Sequence, residues 1–196
     1  MSPITHALLG WLVASGSPAL SRRERGLITF AGVAPDLDGL GAIPQWLTAC
    51  SRHPVYWGSD FHHVLGHNLA FAVAVSLVVW TLAARRRDLA AALAFASFQL
   101  HIVCDLAGSR GGDGYPWPID YLYPFTDGAM LTWSGQWALD AWPNFAIIAT
   151  ALGGCLWIAW RRGDSPVELV SARANQALVE TLRARFPRAQ AASGSS

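Results

Sequence analysis

An all-α integral membrane bundle of about five spans follows from three features of this 196-residue chain. Hydrophobic residues make up 53% and charged residues only 14%, against about 25% charged in an ordinary soluble domain. Apolar runs of helical length recur along the chain, and arginines gather at their ends. This balance excludes a soluble enzyme and a disordered chain. With a net charge of +1 there is no basic field to hold nucleic acid. The three cysteines, at 50, 104 and 155, form no CxxC pair, which excludes a disulfide scaffold and a thiolate zinc ribbon. The length favours one domain, read as a membrane-embedded body over 1–163 with a cytoplasmic helix and tail over 164–196.

The first apolar segment, 4–20, is followed by Arg22, Arg23 and Arg25. Its charges come after the apolar stretch, so it reads as a retained span and not as a signal peptide. The second segment begins at 26–33 and runs into Ala-Pro-Asp-Leu-Asp-Gly. Both are short for a span, which needs about 20 apolar residues, and a buried core helix is their alternative. Three fuller runs follow: 68–84 ending at Arg85-Arg86-Arg87, 89–106, and 145–160 ending at Arg161-Arg162. Five spans with the N-terminus outside place every arginine cluster on the cytoplasmic side of the cell inner membrane, as the positive-inside rule requires.

Residues 40–60 then form a short external loop. Residues 107–143 form a longer one, rich in Gly, Pro, Trp and Tyr, whose amphipathic rings belong at the headgroup level. After Gly163, Ser165-Pro166-Val167-Glu168 reads as a capping box with Pro at the first helical position. The apolar spacing beyond it makes 165–186 an amphipathic helix that lies on the bilayer or on a cytoplasmic protein partner. The final Ala-Ala-Ser-Gly-Ser-Ser reads as a flexible end.

Ionisable groups inside spans are costly and mark function by default. Here they sort into one layer. At a rise of about 1.5 Å per residue, His6 stands about 24 Å above Arg22, and His67 about 27 Å above Arg85. On the same scale His101 stands about 21 Å above Arg87, and Asp36 about 16 Å above Arg25, with Asp38 a little higher. Four segments thus deliver His and Asp to the outer layer of the bundle. Taken singly, each has a plainer role. A lone His packs and hydrogen-bonds, Asp36 and Asp38 can cap a helix, and His53 in its Pro-flanked loop is surface.

Together, His and Asp select a zinc-type cation, one or two ions, with a mixed nitrogen and oxygen shell. His101-x3-Asp105 puts two ligands on one helical face, and His63-x3-His67 has the same spacing. His62 joins His67 if the helix starts loosely. One of Asp36 and Asp38 can bind metal while the other acts as general base or orients a ligand.

At these residues the chain resembles the membrane-bound metal-dependent hydrolases of YdjM type. Their Thr-His, Pro-Asp-x-Asp, His-Arg-Gly-x-Thr-His and His-x3-Asp motifs match in order. Here they are Thr5-His6, Pro35-Asp36-Leu37-Asp38, His62 to His67 and His101-x3-Asp105, the last followed by a Gly- and Pro-containing loop. Within the third motif His63, Val64 and Gly66 replace the family's Arg, Gly and Thr. The resemblance therefore favours His62 with His67, whereas helical spacing favours His63 with His67. The order of ligands is also similar to zinc-dependent phospholipase C. That analogy implies a metal-bridging Asp105 and a carboxylate, Asp36 or Asp38, acting on the attacking water. The chain has no His after 101, so a third zinc site of that kind is not carried over.

The expectation is a membrane-bound metal-dependent hydrolase acting on a phosphoester or lipid-linked substrate near the outer leaflet. Metal ligands would be His6, His62, His63, His67, His101 and Asp105. Asp36 and Asp38 would supply the base, and Arg110 an anion clamp. Two other classes compete: a haem-binding electron-transfer bundle, since paired His on membrane helices also ligate iron, and a non-catalytic membrane adaptor working through 165–186.

Overall fold

A computed structural model describes residues 1–111, 114–126, 128 and 130–187, apart from the side chain of Ser59. The expected flexible end, 191–196, lies outside the described residues. The helices are α1 (Pro3–Ser15), α2 (Arg22–Val33), α3 (Ala42–Thr48), α4 (Trp57–Phe61), α5 (Leu69–Leu82), α6 (Arg87–Gly108), α7 (Trp142–Arg162) and α8 (Ala172–Arg185). Among the described residues the only β pairing is two isolated bridges, Arg110 with Ala138 and Ile119 with Leu131.

Three helical stretches are long and apolar enough to cross a membrane: Arg22–Thr48, Arg87–Gly108 and Trp142–Arg162. Two shorter apolar helices, Pro3–Ser15 and Leu69–Leu82, accompany them. Arg22–Thr48, which begins as the second apolar segment of the sequence, is longer than the sequence suggested. The chain does not stop at Pro35 but winds on as a 3-10 helix, Ala34–Gly41, and then as α3. Proline at the start of that tighter turn gives up no needed N–H. The expected loop at 40–60 consequently contains two short helices, α3 and α4.

The chain divides into two compact units, Met1–Ala151 and Leu152–Ser196. In the first, small residues set the packing. Ala14, Ala31, Ala83, Ala90 and Ala94 join Leu20, Ile28 and Val79 in one buried cluster. A Cβ on Gly10 or Gly32 would lie 2.8 or 2.5 Å from Ser97 Oγ, so α1, α2 and α6 approach closely only because those residues are glycine. Leu77, Val78 and Val103 turn outward, each more than half exposed, as lipid-facing side chains do.

Helix ends are fixed locally. Ser2 caps α1, accepting from Thr5 N–H. Ser21 and Glu24 form a reciprocal capping box on α2. The fully buried Glu24 also reaches across to accept the Arg85 and Arg86 N–H groups at 2.9 and 2.8 Å, tying the foot of α2 to the start of α6.

In the second unit, the capping box expected at 165–168 does not form. The Ser165 hydroxyl instead donates to Asn175 Oδ1 at 2.6 Å. Pro166–Leu169 makes a 3-10 turn, and Ser171 caps α8 by accepting from Ala174 N–H.

The aromatic loop is only partly superficial. Tyr115, Phe125 and Trp142 are strongly exposed, but Ile119 and Gln136 are buried. Gln136 fastens the loop to the end of α6: its Nε2 donates to the Asp105 carbonyl at 2.9 Å and its Oε1 accepts from Trp117 N–H at 2.7 Å.

Candidate metal centre

The last turns of α6 carry His101 and Asp105, one turn apart and both buried. The His101 Nδ1–H donates to the Gly32 carbonyl at 2.8 Å. A carbonyl only accepts, so the proton sits on Nδ1 and the Nε2 lone pair faces inward, 3.0 Å from Asp105 Oδ2. His6 on α1 stacks on the His101 ring at 3.6 Å, with its Nε2 3.2 Å from Asp105 Oδ1.

The third contribution comes from 62–67, which is not helical. Asn68 caps α5 by accepting from Phe71 N–H, so the helix begins only at Leu69. Helical spacing therefore does not bring His63 to His67. A turn does so instead, with His63 at φ +68°, a conformation uncommon for a residue with a side chain. Their ring centroids end 4.4 Å apart. Gly66 is required in this turn, because a Cβ there would lie 2.2 Å from the Pro35 carbonyl oxygen.

Asp38, in the 3-10 helix, organises the same turn. Its Oδ2 accepts from Gly66 N–H at 2.9 Å, His63 N–H at 3.1 Å and His67 Nδ1 at 3.0 Å. Its Oδ1 faces His62 Nδ1 at 2.7 Å. His62, His67 and His101 thus share one tautomer. Each directs Nδ1–H at an oxygen and keeps Nε2 for something else, the arrangement that metal-ligating histidines use.

Asp105 is the common vertex. Its Oδ1 accepts from Ser109 Oγ at 2.8 Å and meets the Met1 α-ammonium group. Its Oδ2 lies 3.0, 3.4 and 3.9 Å from Nε2 of His101, His67 and His63. Asp36 completes the rim, with Oδ1 3.7 Å from His101 Nε2. Three overlapping donor groups result, each with its ligand atoms within 4.8 Å of one another: His6, Asp36, His101 and Asp105; His63, His67 and Asp105; Asp38, His62 and His67. Sharing of His67 and Asp105 leaves the set suited to one cation or to two close together.

Electrostatics distinguish His63 from His67. Burial, reinforced by the neighbouring His67 charge, pushes His63 down to about 3. Burial also opposes protonation of His67, but hydrogen bonds and charge from Asp105 and Asp38 outweigh it and raise His67 to about 9. His67 Nε2 faces His101 Nε2 at 3.2 Å, and two lone pairs at that distance repel unless a proton or a cation lies between them.

The donor set fits a metal cation. It is all nitrogen and oxygen, the tautomers are fixed, and the buried Nδ1 atoms of His6 and His63 and Asp36 Oδ2 have no hydrogen-bond partner. Orphaned buried polar atoms are rare in folded proteins and call for an explanation such as an ion. A cavity of about 70 Å3 opens on the cluster, walled by Asp36, His62, His63, Asp105, Ser109 and Trp117. The Trp117 ring covers His63 and His62 at centroid distances of 4.4 and 4.9 Å.

His6, His63, His67, His101, Asp36 and Asp105 therefore meet directly, and His62 and Asp38 join through His67. Arg110 is not among the residues walling the cavity; its backbone pairs with Trp137 and Leu139. His53 is exposed, as expected. The sequence reading missed Ser109, although it lies one turn beyond Asp105 on the same face. It also missed Gln136, whose only signal is a lone amide among aromatic residues.

No curated protein and no solved structure matches this chain. A family model described as YdjM inner membrane protein matches residues 1–179, a range that contains every member of the cluster and all three membrane-length helical stretches. The chain belongs to the YdjM inner membrane protein family.

Proposed function

We propose that this chain is a membrane-embedded metal-dependent hydrolase of phosphoesters, acting on a lipid or lipid-linked substrate at the outer leaflet. One observation carries the reading: three histidines, two from the 62–67 turn and one from α6, are held in the Nδ1–H tautomer, and His67 and His101 converge with His6 and His63 on the single carboxylate of Asp105. His6, His63, His67, His101 and Asp105 would hold the cation, with His62 adjoining through Asp38. When bound, a zinc-type ion supplies Lewis-acid polarisation of the phosphoryl oxygen and lowers the pKa of water from 15.7 toward about 7.

The remaining work falls to the protein. Asp36 is suited to the base role, since its Oδ2 is buried with no partner and it walls the cavity. It takes the proton of the attacking water as the water oxygen bonds to phosphorus and the ester oxygen departs. Asp38 is a positioning residue, since its two oxygens already face four donors. Trp117 shields the site from bulk water. The arginine clusters at 22–25, 85–87 and 161–162 support an orientation with this layer outside and the C-terminus cytoplasmic.

The test is hydrolysis of bis(p-nitrophenyl) phosphate by the zinc-loaded full chain in detergent. Asp36→Asn should abolish turnover while keeping zinc content, and His101→Ala with Asp105→Ala should lose both. Turnover by Asp36→Asn equal to wild type removes the assigned base. Zinc content unaffected by the double substitution removes the centre.

A further inference from the structure

The metal cavity has a neighbour. A groove of about 320 Å3 adjoins it, walled by Met1, Pro3, Leu139, Asn144, Phe145 and Ile148 among others. Met1 and Leu139 wall both cavities, so the two lie side by side with those side chains between them. We infer that this groove seats the hydrocarbon chain of a phosphoryl-headed amphiphile whose head occupies the metal cavity. The placement of the head rests on the hydrolase reading above; the chain seat rests on the groove itself.

Size separates the two compartments. About 70 Å3 suits a phosphoryl group, whereas 320 Å3 lies at the lower end of the range for small-molecule sites, about 300–1,000 Å3. Direction follows from α7. Phe145 and Ile148 lie three residues apart on one helical face, so the groove leads from Leu139, at the cluster, down the first turns of a membrane-length helix. A chain laid there enters the apolar layer while its head stays at the cations' level.

The groove is also mostly apolar. Its polar residues are already satisfied: Asn144 Nδ2 donates to the Gly108 and Leu139 carbonyls at 2.9 and 2.8 Å, and its Oδ1 accepts from Trp137 Nε1 at 2.8 Å. The hydroxyls of Ser2 and Thr5 bond to each other at 2.9 Å. The Asn144 bond to Gly108 fixes the α7 end of the groove to α6, and the Asn144 amide is fully engaged within the protein. Phe145 stays 64% exposed along the rim. A soluble phosphoester has nothing to cover it, whereas an alkyl chain does.

The test is photolabelling of the zinc-loaded full chain in phosphatidylcholine nanodiscs by dodecyl phosphate carrying a mid-chain diazirine, with peptides read by mass spectrometry. Label should concentrate at 145–148 and 3–5, several-fold above the lipid-facing 73–78 of α5, and unlabelled dodecyl phosphate should compete it away. Ile148→Trp, which fills the groove, should remove label there and leave 73–78 unchanged. Label spread over 73–78 and 145–148 alike overturns the chain seat, and equal labelling by the diazirine dodecanol overturns the requirement for a phosphoryl head. Groove label that survives zinc removal with phosphate selectivity intact upholds the seat and counts against the hydrolase reading alone.

Discussion

Asp38 offers the sharpest quantitative test, because its oxygens face the Nδ1 atoms of His62 and His67 and not their Nε2 atoms. Its Oδ2 accepts from Gly66 N–H, His63 N–H and His67 Nδ1, and its Oδ1 from His62 Nδ1. Asp38→Ala removes all four contacts and frees the His67 ring to rotate. Loss of such an orienting carboxylate costs about 10–100-fold in metal affinity, or about 1.4–2.7 kcal/mol. Asp38→Asn is graded. With its amide oxygen at the Oδ2 position it keeps three acceptor contacts and turns an N–H2 toward His62, so its loss should sit near the tenfold end. Asp105→Ala removes the shared vertex and should exceed both. Competition with a calibrated chelator on purified protein in detergent reads all three affinities. Wild-type zinc affinity in Asp38→Ala would refute the orienting role. A loss in Asp38→Asn as complete as in Asp105→Ala would show Asp38 to be a ligand instead.

Two further outcomes follow from the same geometry. Metal binding requires neutral imidazole, and His67 is raised to about 9 in the metal-free protein. Below pH 9 zinc must therefore displace a proton, so log affinity should climb by about one unit per pH unit contributed by His67 and level off above about 9. Calorimetry in buffers of different ionisation enthalpy counts the proton released, and zero protons at pH 7 contradicts the assignment. Away from the centre, Glu24→Ala deprives the Arg85 and Arg86 N–H groups of their shared acceptor. It should cost about 1–2 kcal/mol, as loss of a helix cap does. A thermal midpoint in detergent equal to wild type would discount that tie.

The sequence made some of this architecture plain and hid the rest for physical reasons. His101 and Asp105 were legible because a continuous helix makes i and i+4 neighbours, and α6 is uninterrupted through both. The convergence of four segments was legible from the heights of His6, Asp36, His67 and His101 above the arginines, since helical rise is nearly constant. The continuation of α2 through Pro35 was not, because proline tolerates either a helix end or the first turn of a new one. Nor was the pairing of His63 with His67, which depends on a left-handed residue and on Gly66 passing close to the Pro35 carbonyl. That Asp38 finds four donors while Asp36 Oδ2 finds none is set by the fold, and residue type alone carries no such information. Gln136 binds Trp117 and the Asp105 carbonyl from 31 residues downstream of Asp105, a contact that no local pattern announces.

Zinc K-edge X-ray absorption on the purified, zinc-loaded chain tests the central proposition most directly, because it reads the donors themselves. A shell of nitrogen and oxygen at about 2.0–2.1 Å with imidazole multiple scattering and no sulfur at about 2.3 Å, lost in His101→Ala with Asp105→Ala, is the predicted result. A sulfur-containing shell, or the same imidazole spectrum in the double variant, would contradict it.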